Sequence, residues 1–555
     1  MPETNHPFKI GLCMAGAVSA GAYTAGAIDY LIEALDEWQR RKESNDPSIP
    51  RHQVEISVIG GASAGGMTGV IAAAALQDPI APVASLGTDI MAQQPGNKFY
   101  HRWVDLVGDD MLGVLLDPGD LGGNGLQSAL NSDFIEKVAD RAVRVSGEPP
   151  VARKYVSNHL KLFVTLSNLE GMDFAVAFRA NSKINRYVVN SHNDYACFKL
   201  CNNLGDYGHD GWIPLNFKSL LNVDMVKDAA MATGAFPVGL KARVLNRDVR
   251  YMNDLEWFHH ITRDAGNPFK GDTYQTVNVD GGMINNEPFD KVRELLMAET
   301  GQCAPLEFQD YNKFKSTVLM IDPFPSEPSS FNRSTGLFTI LGNTLGAMVN
   351  QARIKPSVLI EAMDSSNAGQ YLIAPVRYES SGGSERSIEG SKAIACGSLG
   401  GFGGFVSKEF RIHDYFLGRA NCEKFLRDHF TVPFDSTNPI FVDGYAQVAD
   451  KQRYRSQTDG GLQIIPLFSE RSSRLNMPVF SNNGEWPTVT QAYVNAYRKR
   501  IKVRAEKLLF NLAQYNTTQR ALLWLAAKVI LNGKIADVVM DNMVKALADH
   551  HSIKK

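Results

Sequence analysis

The chain has 555 residues, 44% of them hydrophobic and 21% charged, with a formal net charge of −2. A chain this long buries a large core and favours one big domain with additions. The near balance of Lys and Arg against Asp and Glu excludes a general electrostatic pull toward nucleic acid. The six cysteines (Cys13, Cys197, Cys201, Cys303, Cys396 and Cys422) lack the spacing of a disulfide framework or of paired metal-binding arms, which fits a reduced, cytoplasmic setting.

Residues 8–14 form a short apolar run that enters a loop of small residues. It has no basic flank, so it reads as a strand and turn rather than a signal peptide. From Gly21 the pattern becomes helical, with Ile28, Leu31, Ile32 and Leu35 on one face. Residues 40–52, charged and bearing Pro47 and Pro50, read as a surface connection. A second strand is predicted at 54–59, then a glycine-rich turn at 60–66 and an Ala-rich helix at 67–76. Further strands are expected at 160–166, 276–279 and 317–321. Strand and helix alternating in this way predict an α/β fold with a mainly parallel sheet covered on both faces.

Past Asp322 the character changes. Residues 323–330 are rich in Pro and Ser and mark a boundary near 325, and 379–391 is a polar Gly/Ser stretch that reads as a loop. Residues 397–404 (GSLGGFGG) form a second glycine cluster, and the tail from about 489 to 549 is helical in composition. A mostly helical extension, 326–555, is therefore expected to pack on or regulate a domain at 1–325. No run of about 18 apolar residues predicts a spanning helix; the nearest, 521–531, is short and contains Lys528. The apolar clusters at 111–116 and 337–349 are expected in the core more than in a lipid groove.

Gly61-Ala62-Ser63-Ala64-Gly65 is a GxSxG motif, and Ser63 is the one serine so flanked. The spacing suits a nucleophile on a sharp strand-to-helix turn, where side chains two positions away would meet neighbouring backbone. A plain helix-capping serine is the alternative. The loop Ala15-Gly16-Ala17-Val18-Ser19-Ala20-Gly21 follows the first strand, and its backbone N–H groups can face a developing oxyanion. It does not match the GxGxxG of dinucleotide folds. Val279-Asp280-Gly281-Gly282 puts a carboxylate at a strand end, where a turn residue is the ordinary reading. His413 and His429 follow in the Ser-Asp-His order of common α/β hydrolases, and His259-His260 lacks metal-ligand spacing.

Together, and in this order, these elements resemble the patatin-like phospholipase family. The resemblance implies a three-layer fold and a Ser-Asp dyad without histidine. It makes Ser63 the nucleophile, Asp280 the general base, Gly16, Ala17 and Val18 the oxyanion hole, and Gly61 and Gly65 the elbow glycines. It also implies a lipid or phospholipid substrate, peripheral membrane contact, room for oligomerisation and no metal or organic cofactor. Residues 230–238, the 397–404 cluster and the Arg411–Arg419 stretch are similar to segments of larger bacterial patatin-related proteins. One departure concerns the loop, where the family has consecutive glycines and a basic residue but this chain has Ala17, Val18 and Ala20. Val18 takes a positive φ only at a cost, so the loop geometry is expected to differ. The rival readings are a Ser-Asp-His hydrolase using His413 or His429, an acyltransferase on the same dyad, and an inactive lipid-binding scaffold.

Overall fold

The apolar runs near the N-terminus become neighbouring parallel strands, β1 (Phe8–Met14) and β2 (Val54–Gly61), paired from Phe8 opposite Val54 to Met14 opposite Gly61 with a register shift between Ile10 and Gly11. The computed structural model describes residues 6–44, 46–85, 96–122, 126–177, 186–201, 210–262, 267–302, 310–325, 347, 369–381, 384–468, 477–511 and 534–554. The apolar stretch at 337–349 (residue 347 apart) and that at 521–531 lie outside them, as does Cys303.

The sheet continues through β3 (Val156–Ala177), β4 (Arg186–Leu200), β5 (Ile213–Leu215), β6 (Arg243–Asp248), β7 (Thr273–Asp280), β8 (Ser316–Ile321) and β9 (Gln370–Ile373). Its main path runs β5-β4-β3-β2-β1-β8-β9, with β7 joining β3 and β6 pairing β7. The centre is parallel: β1 pairs in parallel with β2 and β8, β2 with β3, and β8 with β9. Both faces are covered, as near-continuous apolar strands require. On one face Ile10, Leu12, Ile56 and Ile59 join a core that includes α1 (Gly21–Lys42) and α2 (Ser63–Ala75). On the other, Cys13, Val58 and Phe163 pack with Val292 and Leu296, further down the chain. This is a three-layer α/β arrangement, mainly parallel, as the sequence predicts.

Four more helices bear on the site: α3 (Phe134–Val143), α4 (Val223–Thr233), α5 (Phe289–Thr300), which carries Val292 and Leu296, and α6 (Lys408–Asp428). Helix α6 lies against α1 with glycines at the contact. A Cβ at Gly26 would collide with the Tyr415 carbonyl, and one at Gly418 with the Tyr23 carbonyl. Arg419, fully buried, then reaches Asp29 and Glu33 of α1. One apolar core thus contains residues from both sides of position 325. Helices α7 (Arg498–Asn511) and α8 (Lys534–Asp549) follow; α7 buries Arg504, whose Nε donates to the Ala129 carbonyl at 2.6 Å. Among the described residues no helix is long and apolar enough to cross a membrane.

Residues 379–391, expected as a loop, instead contribute to a hairpin of β10 (Val376–Ser381) and β11 (Ser384–Glu389). The anchor is remote. Asn421 of α6 accepts from the Val376 N–H at 3.0 Å and donates to its carbonyl at 2.8 Å, a contact that local composition does not reveal. Met111, Leu115 and Leu116 are buried, in keeping with the core reading of that cluster.

Candidate active site

Strand β2 ends at Gly61, and after Ala62 the chain turns sharply into α2 with Ser63 at φ +49°. This is left-handed backbone that a non-glycine residue rarely holds without surrounding support. The support is visible. The Ala62 N–H donates to the Met14 carbonyl at 3.1 Å, and the Ser63 N–H donates to Thr233 Oγ1 at 2.9 Å. A Cβ at Gly65 would collide with the Met14 carbonyl oxygen, and one at Gly61 would stand 2.6 Å from the Gly65 carbonyl carbon. The two elbow glycines are therefore steric necessities.

Asp280 reaches the same point from the opposite direction. Along β3, β2 is paired as far as Gly61 opposite Val164. Two residues on, β7 pairs antiparallel with β3, Asp280 opposite Leu166, while β4 occupies the other side of β3 throughout. β7 therefore fills the lane that β2 vacates, and Ser63 and Asp280 meet head-on. Ser63 Oγ donates to Asp280 Oδ2 at 2.6 Å, within a buried setting. The other carboxylate oxygen accepts from the Gly282 N–H at 2.8 Å. The main chain of Asp280 is held as well, its N–H donating to the Ala235 carbonyl at 3.0 Å and its carbonyl accepting from Ser167 Oγ at 2.8 Å.

The loop after β1 lies against this pair. A Cβ at Gly16 would stand 2.9 Å from Ser63 Cβ. The N–H groups of Gly16, Ala17 and Val18 form no hydrogen bond to another protein group among the described residues. Val18 adopts φ +48°, so the loop keeps a left-handed turn without glycine there. Its neighbours come from far along the chain. Ser19 Oγ donates to the Gly401 carbonyl and accepts from the Gly404 N–H at 3.0 Å. At Gly401 (φ +96°) an added Cβ would press on Val18 Cβ at 3.2 Å. Arg411 of α6 binds the Gly404 carbonyl in turn, and its Nε donates to the Val104 carbonyl at 2.8 Å.

Ser63 and Asp280 open onto a narrow apolar cavity of about 70 Å3. Its walls include Trp103 and Leu106, Phe134 of α3, and Phe236, Phe402 and Phe405. The last three form an aromatic chain, with Phe236–Phe402 centroids 5.7 Å apart and Phe402–Phe405 5.8 Å apart. Arg102 is the cation on the wall, in a π-helical turn (His101–Asp105) that ends at Leu106 with φ +52°. Its Nε is buried with no hydrogen-bond partner among the described residues, and burial, with repulsion from Arg141, holds the guanidinium below its usual pKa.

Sequence reasoning missed Thr233, Arg102 and the phenylalanines of the extension. Thr233 and Phe402 left a signal, lying in the small-residue segment at 230–238 and the glycine cluster at 397–404. No histidine lines the cavity among the described residues. His413 is buried between Phe480 and Trp486 and bonds Asp414 Oδ1 at 2.8 Å; His429 closes the end of α6, its N–H donating to the Phe425 carbonyl.

Comparison with known proteins agrees with this geometry. A family model described as patatin-like phospholipase matches residues 12–293, the stretch that holds the loop, the elbow and Asp280. A relative from Sinorhizobium fredii, named uncharacterized protein y4iI, is 31% identical over 92% of this chain and 77% of its own length. A match of that breadth runs well beyond residue 293, so the extension is shared too. With half of its length under the family model and its glycine-flanked serine at the end of a parallel strand, the chain belongs to the patatin-like phospholipase family.

Proposed function

We propose that the protein is a serine acyl hydrolase that cleaves fatty-acyl ester bonds of phospholipids through a Ser63–Asp280 dyad. The observation that carries the reading is the 2.6 Å hydrogen bond between side chains 217 positions apart, buried beside an apolar cavity. Asp280 takes the Ser63 proton as Oγ bonds to the ester carbonyl carbon. The N–H groups of Gly16, Ala17 and Val18 receive the oxyanion, each such donor contributing about 3 kcal/mol at the transition state. The intermediate collapses, the C–O bond to the alcohol breaks, and the alkoxide leaves with the proton from Asp280. Water then gives its proton to Asp280 and attacks the acyl-enzyme, and Ser63 departs reprotonated as the fatty acid is released.

In this reading residues 1–325 are the catalytic domain, and the extension supplies Phe402 and Phe405 to its cavity. Phe236, at the cavity, is 39% exposed and Val238 81% exposed, an apolar rim suited to peripheral contact with a lipid surface. Cys13, Cys197, Cys396 and Cys422 are buried thiols, which supports a cytoplasmic setting. The test is labelling with a fluorophosphonate, with the adduct mapped by mass spectrometry, alongside fatty-acid release from phosphatidylcholine vesicles. Ser63 is the expected adduct, and Ser63→Ala should lose both signals. An unlabelled Ser63 in folded protein would point to the scaffold reading, and acyl capture by added alcohol in place of water to a transferase.

A further inference from the structure

At the opposite end of the sheet from Ser63 lies a second recess, of about 320 Å3. It opens between the last turn of α1 and the residues that lead into β2 and β3, and its lining includes Trp38, Lys42, Arg51, Gln53, Lys154 and Tyr155. Three of these are cations. None of the three forms an ion pair with a carboxylate among the described residues, and the side chains of Lys42 and Arg51 bond to backbone carbonyls. Lys42 Nζ sits 3.5 Å from the Trp38 ring centroid and donates to the His52 carbonyl at 2.6 Å. Arg51 donates to the Lys42 carbonyl, covering the end of α1, and to the Asp46 carbonyl at 2.9 Å. Two acidic groups lie near, and Asp46 feels Arg51 through space without pairing with it. Glu43 is exposed at the rim, and Asp46 accepts from the Ser48 N–H.

We propose that this recess binds a small soluble phosphate monoester, its phosphate held by Lys42, Arg51 and Lys154. Like charges gathered around one cavity without a counter-ion are costly, and a phosphate dianion supplies the missing charge together with strong acceptor oxygens. The cost shows in Lys42. Burial first, then repulsion from Arg51 and Lys154, push its ammonium down to about 7. A soluble ligand fits better than a membrane lipid, because none of the large exposed apolar side chains of the described residues belongs to the lining. The recess is also too large for phosphate alone, leaving room for a polar organic group beside Gln53. The site is independent of the chemistry at Ser63.

The test is calorimetric titration of the full-length protein with glycerol 3-phosphate, with inorganic phosphate and with phosphatidic-acid vesicles. Saturable one-to-one binding of glycerol 3-phosphate is expected, weakening as pH rises from about 7.5 to about 9, above the second ionisation of the phosphate, because Lys42 then loses its proton. The charged and titratable groups facing Lys42 are Arg51, Lys154, the exposed Glu43 and His52, whose imidazole burial holds down to about 3. The double variant K42Q/R51Q should weaken binding by about tenfold or more. K154Q, at an exposed position that leaves the fold undisturbed, should weaken it several-fold. No saturable binding up to about 10 mM, undiminished binding in both variants, or binding to the vesicles alone would each overturn the proposal.

Discussion

The two glycine-rich segments near Ser63 serve it in different ways. Residues 60–66 act at the turn: Gly61 and Gly65 stand where a Cβ would strike backbone of the β1–β2–α2 unit, as at Gly65 against Met14. Residues 397–404 act at long range. They approach the loop after β1 from more than 380 positions away, and Ser19 bridges the Gly401 carbonyl and the Gly404 N–H. The first segment shapes the position of the hydroxyl, and the second braces the loop that lies against Ser63. The lesson is that a glycine-rich motif can be autonomous or conditional. The elbow's glycines need only β1 beside β2, whereas the brace needs the extension folded and α6 seated on α1.

Four substitutions break or sharpen this contrast. Asp280→Asn keeps the shape of the pair but removes the proposed base, and should lower kcat by about 10,000-fold with KM little changed; steady-state kinetics on a phospholipid ester would read it. Activity near wild type would assign the base elsewhere. Gly65→Ala attacks the local segment. With backbone on the far side and nothing flexible to yield, it should abolish fluorophosphonate labelling and cost about 3 kcal/mol or more of stability, measured by urea unfolding.

Ser19→Ala attacks the long-range brace. It removes two hydrogen bonds worth about 1 kcal/mol each, so kcat should fall roughly tenfold while KM and the unfolding midpoint move far less than in Gly65→Ala. A loss of stability equal to that of Gly65→Ala, with kcat per folded molecule unchanged, would make the contact merely structural. Phe402→Ala is the mildest. It opens the aromatic chain at the cavity and should raise KM for long-chain esters a few-fold, by about 1 kcal/mol of lost apolar contact, leaving kcat intact; parallel assays with short-chain esters would separate the two effects.

Much of the central architecture was legible from local pattern. Short apolar runs announced β1, β2 and β8, because parallel strands covered on both faces must be apolar nearly throughout. Ser63 stood out since the steric demand behind GxSxG involves residues two positions away. Asp280 was different. An aspartate before two glycines is an ordinary turn residue, and only resemblance to a family distinguished it. Residues 379–391 misled, because their composition is that of a loop while Asn421 holds the hairpin in place.

By itself, then, the amino-acid order determined the strand–turn–helix units and the one serine able to occupy the elbow, since these depend on interactions within a few residues. The tertiary structure decided what stands opposite that serine. That β7 enters the lane left by β2, that Thr233 receives the Ser63 N–H, and that Phe402 walls the cavity all follow from strand register and helix packing across hundreds of positions. Such contacts are selected by the burial of the whole core, which no short window of sequence contains.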